Sequence, residues 1–198
     1  MVLALMPPSE HVHWWFATGV LIFGLFMLAR GIVGPDVWDR RAWRRYLWPA
    51  LAFAMGILMW PVTVFFTSST LHVLAHGVWA QSLMLAGAAT LGLAVGKLRN
   101  PLWFLTMPLA FVVSGAAFLI HEPNGWLFSR SAFVHHASGW LLLLGAVFPF
   151  LLTFRPRSTA LGVGYALTFI LLAVVLYTAR DVAPIFGHFS PEAGVPRR

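Results

Sequence analysis

The stretch STALGVGYALTFILLAVVLYTA, residues 158–179, contains no charged side chain. Because a helix needs about 20 residues to cross the hydrocarbon core of a bilayer, this stretch is long enough to span a membrane once. Five other stretches have the same apolar character. We therefore predict an all-α polytopic membrane protein, a bundle of six transmembrane helices at residues 13–33, 46–66, 70–96, 101–121, 132–154 and 158–179.

The composition of the whole chain agrees with a membrane location. Hydrophobic residues make up 60% of the 198 residues, charged residues make up 10%, and the mean hydropathy is +0.81. Charged residues form about a quarter of a typical soluble domain. Short polar or Gly/Pro breaks separate the apolar stretches, and none is long enough to be a linker. We therefore expect residues 1–198 to form a single six-span transmembrane domain.

Lysine and arginine are unevenly distributed among the predicted loops. Nine of the 13 fall in the first, third and fifth loops: Arg30, Arg40, Arg41, Arg44, Arg45, Lys97, Arg99, Arg155 and Arg157. Because basic loops remain cytoplasmic, this pattern predicts a multi-pass protein of the cell inner (plasma) membrane with both termini extracytoplasmic. We therefore attribute the sequence pI of about 11.3 to topology, and we expect the lipid bilayer as a partner and no nucleic acid.

Every histidine lies at the predicted outer end of the bundle or in the tail beyond it. The eight are His11, His13, His72, His76, His121, His135, His136 and His188. The chain has no cysteine, which excludes thiolate ligands, whereas neutral imidazole binds copper, zinc and haem iron. Polar side chains at membrane depth are costly and are retained mainly where they pair or line a site. This pattern predicts a metal or haem site at the outer face.

His72 and His76 have the spacing most typical of shared ligands. Residues four apart lie on one face of a helix, so both imidazoles can be directed to one point. The alternative is that one histidine hydrogen-bonds a neighbouring helix while the other faces lipid headgroups. His188 lies in a polar tail and is not assigned to the site.

The adjacent histidines His135 and His136 open the fifth predicted span. Successive helical side chains project about 100° apart, so these two cannot both face one centre. His11 and His13 lie at the start of the first predicted span, and they either fold over the open end of the bundle or form an exposed amphipathic start.

Glu122 follows His121 at the end of the fourth predicted span. It is a candidate ligand, a candidate acceptor that orients a ligating imidazole, or an ion-pair partner of Arg130. The complete set of candidate metal ligands is His72, His76, His121, His135, His136, His11, His13 and Glu122.

Catalytic motifs are not evident in the sequence. There is no nucleophile, base and acid set and no glycine-rich phosphate loop. A histidine and zinc hydrolase would need an acidic base in the site, and Glu122 is the one candidate. We leave enzymatic activity open and favour a role without catalysis.

The order of motifs over about residues 38–150 carries a family resemblance. The arginine cluster is followed by Phe53-Ala-Met-Gly56 and Pro61, then Phe66-Thr-Ser before His72-x-x-x-His76, then His121-Glu-Pro123 and His135-His136. This order resembles the CtaG-type cytochrome c oxidase assembly proteins, which have paired histidines, a later His-x-Pro and a histidine opening the next span. Ala86-Gly-Ala-Ala89 replaces the Pro-Pro-Leu-Leu run of that family, which tends to have seven spans.

The resemblance implies a copper-binding membrane protein whose outer-face histidines act in cytochrome c oxidase assembly or in copper delivery to a haem-copper oxidase. The implied cofactor is copper, and the implied partner is an oxidase subunit or a copper chaperone. Two alternatives remain open. One is a haem-b membrane cytochrome with one outer-face haem between two imidazoles. The other is a structural subunit of a membrane complex, in which the histidines only pair with polar groups.

Overall fold

The computed structural model describes residues 9–65, 70–121 and 130–179, with side chains for residues 11–61, 73–120 and 131–179. These residues form helices and no strand, which confirms the predicted all-α class. The helices are α1 (Ser9–Val33), α2 (Pro35–Trp38), α3 (Ala42–Phe65), α4 (Thr70–Ala94), α5 (Thr106–His121), α6 (Arg130–Gly145), α7 (Val147–Phe154) and α8 (Thr159–Tyr177). A 3-10 turn, Pro101–Leu105, leads into α5.

Five segments of the described chain are long and apolar enough to cross a membrane. They are His11–Val33, Val73–Ala94, Pro101–Ile120, Ser131–Phe154 and Thr159–Tyr177. Large apolar side chains such as those of Leu25, Leu85 and Leu144 are exposed on them, as expected for surfaces in contact with lipid. The chain is therefore a multi-pass membrane protein that contacts the bilayer.

The predicted number of six spans is not confirmed. The span predicted at residues 46–66 corresponds to α3, which is not among the five segments found in the described residues. Arg44 and Arg45 lie in the first turn of α3, and Pro49 and Pro61 lie inside it. Arginine and proline have low hydropathy, so these residues lower the mean hydropathy of the described part of α3.

Some boundaries differ from the predicted ones. Helix α1 begins at Ser9, four residues before the predicted start at residue 13, so His11 also lies within the helix. The span predicted at 132–154 is divided into α6 and α7, which meet at Ala146. Pro149 has no amide hydrogen to donate and lies in the first turn of α7, where the helix does not need that donor.

Glycines bring pairs of helices close together in antiparallel order. Helices α3 and α4 approach so closely that a Cβ on Gly87 would lie 2.6 Å from the Phe53 backbone nitrogen, and one on Gly56 would lie 2.7 Å from the Ala80 carbonyl oxygen. Helices α1 and α8 approach in the same way at Gly31 and Gly162. Small residues allow this backbone contact, which is the main packing device where lipid surrounds the helices.

The antiparallel order separates the two ends of the bundle. One end carries Arg30, paired with Asp39 at 2.7 Å, and Arg157, whose Nε lies 3.1 Å from a carboxylate oxygen of Asp36. The opposite end contains the first turns of α1, α4 and α6 and the last turn of α5. These four elements bring together the histidines that the sequence places far apart.

Candidate histidine site

Three imidazoles from three different helices meet at the end of the bundle opposite the arginines. The ring centroids of His76 on α4 and His135 on α6 are 5.8 Å apart, and those of His13 on α1 and His135 are 5.9 Å apart. His76 and His135 are buried, at 7% and 5% exposure, whereas His13 is half-buried. We call these three residues the histidine trio; His135 is its centre.

An aromatic layer closes the trio toward the interior of the bundle. The Phe118 ring on α5 lies 6.0 Å from the His76 ring and 5.9 Å from the His135 ring, measured between centroids. Trp79 packs against Phe118 at 5.1 Å and against Phe16 at 5.7 Å. This layer gives the imidazoles an apolar floor, so polar groups that bind them must approach from the end of the bundle.

The orientation of His135 is fixed by its own helix. Its Nδ1 lies 2.8 Å from the carbonyl oxygen of Ser131 and 3.5 Å from the Ser131 hydroxyl. In the neutral imidazole that donates from Nδ1 to the carbonyl oxygen, Nε2 carries the lone pair. A backbone carbonyl that accepts from one ring nitrogen is the usual arrangement for a histidine that binds a metal through the other.

The structure distinguishes His135 from His136, which the sequence does not. His135 is buried among His13, His76 and Phe118, whereas His136 is half-buried. Because successive helical side chains diverge by about 100°, this is the outcome that the helix geometry requires.

His11 does not belong to the trio. Within the described residues, its ring contacts Trp14 on the same helix, at 5.0 Å between centroids. Two residues along a helix turn a side chain by roughly 200°, which directs His11 away from the side on which His13 meets His135. The structure therefore separates two histidines that the sequence treats together.

Three predicted site residues, His72, His121 and Glu122, have side chains outside the described residues, as does His188. The side chains of His72 and His121 lie outside the described residues, although the backbone places His72 one turn before His76 on α4 and His121 at the last position of α5. Glu122 and His188 lie outside the described residues altogether.

Two ring pairs of the trio, His76–His135 and His13–His135, have centroid separations of 5.8 and 5.9 Å. These separations fall within the range of ordinary edge-to-face ring contacts and also within the roughly 5–6 Å expected for two imidazoles bound to one metal at about 2 Å. The rings meet edge to face, at 82° and 84°. Among the described side chains, no group of three or more histidine, aspartate or glutamate residues is arranged to hold a metal ion. Ligation by the trio therefore requires rotation of the rings.

Sequence reasoning missed the residues that surround the imidazoles. Phe118 lies three residues before His121, and Ser131 lies four before His135, so helical spacing from the histidines was the available signal. Ser138, three residues after His135, is also buried, and its hydroxyl has no hydrogen-bond partner among the described residues. The site region thus contains one further polar group in addition to the trio.

Comparisons with family models, with curated proteins and with solved structures give no match for this chain. The resemblance to CtaG-type proteins therefore stays a prediction from the sequence motifs.

Proposed function

We propose that this protein binds one copper ion at its outer-face histidines and acts in copper delivery to, or assembly of, a haem-copper oxidase. His76 and His135 are the core ligands in this proposal, and His13 is the third. The partner is an oxidase subunit or a copper chaperone that meets the same end of the bundle. No group with the geometry of a catalytic nucleophile is needed for this role.

One observation carries the proposal, which is the convergence of His13, His76 and His135 from helices far apart in sequence. Packing His13 and His76 against His135 within apolar spans is costly unless the imidazoles pair or bind a ligand. The carbonyl oxygen of Ser131 supports the ligand role of His135, because it favours the tautomer whose Nε2 lone pair can bind a cation.

The half-buried position of His13 supports delivery rather than permanent storage. A metal that is passed to a partner must lose ligands one at a time to the incoming donors. His13 lies in the second turn of α1 and is the most accessible member of the trio. It is therefore the ligand that a partner displaces first, while His76 and His135 retain the ion until transfer is complete.

The proposed topology has six spans, with α3 as the sixth, and both termini outside an inner (plasma) membrane. Helix α3 packs antiparallel along α4, from Pro49 beside Gly87 to Trp60 beside Gly77, so it connects the arginine end to the histidine end. Six crossings bring both termini to the histidine end. The positive-inside rule then places the arginine end in the cytoplasm and the trio outside.

A single ion fits the trio more readily than a haem does. A haem with two axial imidazoles places the whole macrocycle between the two rings. The rings of His76 and His135 are in direct edge-to-face contact, so a macrocycle would require α4 and α6 to separate. An ion requires only rotation of the imidazoles.

Metal analysis and an absorption spectrum of the purified protein, combined with paired histidine variants, test the proposal. We expect about one copper ion per chain and no Soret band. His135→Ala should remove most of the copper, whereas the matched variant His136→Ala should keep it. A Soret band lost in His135→Ala would establish the cytochrome alternative. Absence of both cofactors in the folded wild-type protein would favour the structural-subunit alternative.

A further inference from the structure

Gln81 is the one glutamine of the chain, and its side chain is exposed on α4 within the span Val73–Ala94. It makes no hydrogen bond to any described residue. It lies eight residues after Val73, which corresponds to about 12 Å along the helix axis. The carboxamide is therefore well inside the hydrocarbon region, on the lipid-facing side of the bundle.

The transfer of an unpaired carboxamide from water to this position in hydrocarbon has an unfavourable free energy. The carboxamide offers two N–H donors and a carbonyl oxygen with two lone pairs, and hydrocarbon supplies partners for none of them. Polar residues within spans therefore usually face a partner, and across helix interfaces such residues form hydrogen bonds that favour association. The exposed hydroxyl of Thr18, by comparison, has a partner in the Tyr177 hydroxyl at 2.8 Å.

The surface around Gln81 has the shape of a helix-packing site. A groove of about 360 Å³ runs along α4 beside α3, and its lining includes Trp60, Leu74, Gly77, Val78, Gln81 and Leu85. Gly77 leaves a depression in the surface of the groove, because it has no side chain and a Cβ there would meet only the Trp60 ring, at 3.5 Å. Residues 74, 78, 81 and 85 alternate spacings of four and three, which is the spacing of a helix-to-helix seam.

We propose that a second copy of this chain packs on this α4 face, with the two Gln81 carboxamides hydrogen-bonded across a two-fold axis. Both copies insert in the same orientation, so the axis lies along the membrane normal and the two α4 helices run parallel. Each residue of the seam then meets its own counterpart.

A second copy satisfies Gln81 better than a charged or apolar partner helix would. A carboxamide is self-complementary, since each copy donates one N–H to the other's carbonyl oxygen and accepts one in return. The groove around it exposes Leu74, Val78 and Leu85, with Ser82 as its other polar lining residue, and it offers no charge for a charged partner. His76 is buried on another side of α4, so the dimer leaves the histidine trio unobstructed and does not depend on metal binding.

The absence of cysteine permits a direct cross-linking test in proteoliposomes. Val78→Cys places a single thiol on the seam, and Leu171→Cys places one on an exposed face of α8. Mild oxidation should yield a disulfide-linked dimer for Val78→Cys and none for Leu171→Cys. Dimers for both variants in equal yield, or for neither, would overturn the proposal. In native membranes, a Val78→Cys adduct with a chain of different mass would also overturn it.

Fluorescence energy transfer between labelled copies in bilayers measures how much the Gln81 carboxamide contributes to the affinity of the dimer. Gln81→Leu should raise the dimer dissociation constant about three- to thirtyfold, the range of single interhelical hydrogen bonds in membranes. Gln81→Asn keeps donor and acceptor and should retain most of the affinity, and Leu171→Ala is the matched control. Equal dissociation constants for wild type and Gln81→Leu would show that Gln81 does not mediate the contact.

Discussion

The hydroxyl groups of Thr18 and Tyr177 lie 2.8 Å apart, although 159 positions separate the two residues in the chain. The contact joins the N-terminal half of α1 to the last residue of α8. It places the beginning and the end of the described bundle side by side at the histidine end. Helices α1 and α8 thus form one antiparallel pair, with Gly31 against Gly162 at the other end.

We expect this hydroxyl pair to stabilise the α1–α8 contact by about 0.6 kcal/mol, the mean for interhelical hydrogen bonds in membranes. Thr18→Val and Tyr177→Phe each remove one hydroxyl with little change in shape. Unfolding of the two single variants and the double variant in detergent gives the coupling energy. If the two effects add without coupling, the hydroxyls do not interact in the membrane protein.

The close approach of α3 and α4 predicts that alanine substitution has different effects on stability at two glycines. Gly87→Ala introduces a Cβ 2.6 Å from the Phe53 backbone nitrogen and should lower the free energy of unfolding by about 1–3 kcal/mol, because the helices must separate. In Gly77→Ala the nearest contact is the Trp60 ring at 3.5 Å, and alanine favours the helix. Its stability should be unchanged or slightly higher.

Unfolding of these glycine variants is best measured in detergent at protein concentrations too low for association of chains, because Gly77 lies in the α4 groove. Equal losses at both positions would contradict the packing of α3 along α4.

The aromatic floor of the trio predicts a link between packing and metal binding. Phe118→Ala leaves a cavity beneath His76 and His135 and should cost about 3–5 kcal/mol of stability. It should also weaken copper binding, since the imidazoles lose the ring that holds them in place. Phe111→Ala removes an equally buried ring of α5 that packs with Tyr165 and Phe169.

A comparison of these two phenylalanine variants by unfolding and copper titration separates the effects. The expected outcome is a similar loss of stability with weakened copper binding only in Phe118→Ala. Unchanged copper affinity in Phe118→Ala would show that the ring has no part in positioning the ligands.

Reporter fusions test the six-span topology. A reporter after Arg45 and one after Arg157 should remain cytoplasmic, and one after Ser68, between α3 and α4, should be translocated because α3 crosses the membrane. A C-terminal fusion should also be translocated. A cytoplasmic reporter after Ser68 would mean that α3 does not cross, and the trio would then not face the compartment required for copper delivery.

Hydropathy along the sequence was sufficient to predict the helical class and the approximate position of five spans, because a bilayer imposes length and apolar character on each crossing helix separately. It also predicted a sixth span at residues 46–66, which coincides with α3, although α3 is not among the five segments found in the described residues. It placed the start of the first span at residue 13, whereas α1 begins at Ser9. This difference lies at a helix end, where polar residues are compatible with either helix or loop.

The sequence also determined which residue type could form a site, because histidine is the metal-binding side chain concentrated at one end of the bundle. The sequence could not show which histidines belong to the site. His72 and His76 share a face by helical spacing alone, whereas the contact of His76 with His135 and His13 depends on how α1, α4 and α6 are rotated against one another. That rotation follows from glycine contacts and aromatic packing between helices distant in the chain, and such contacts exist only once the bundle has assembled.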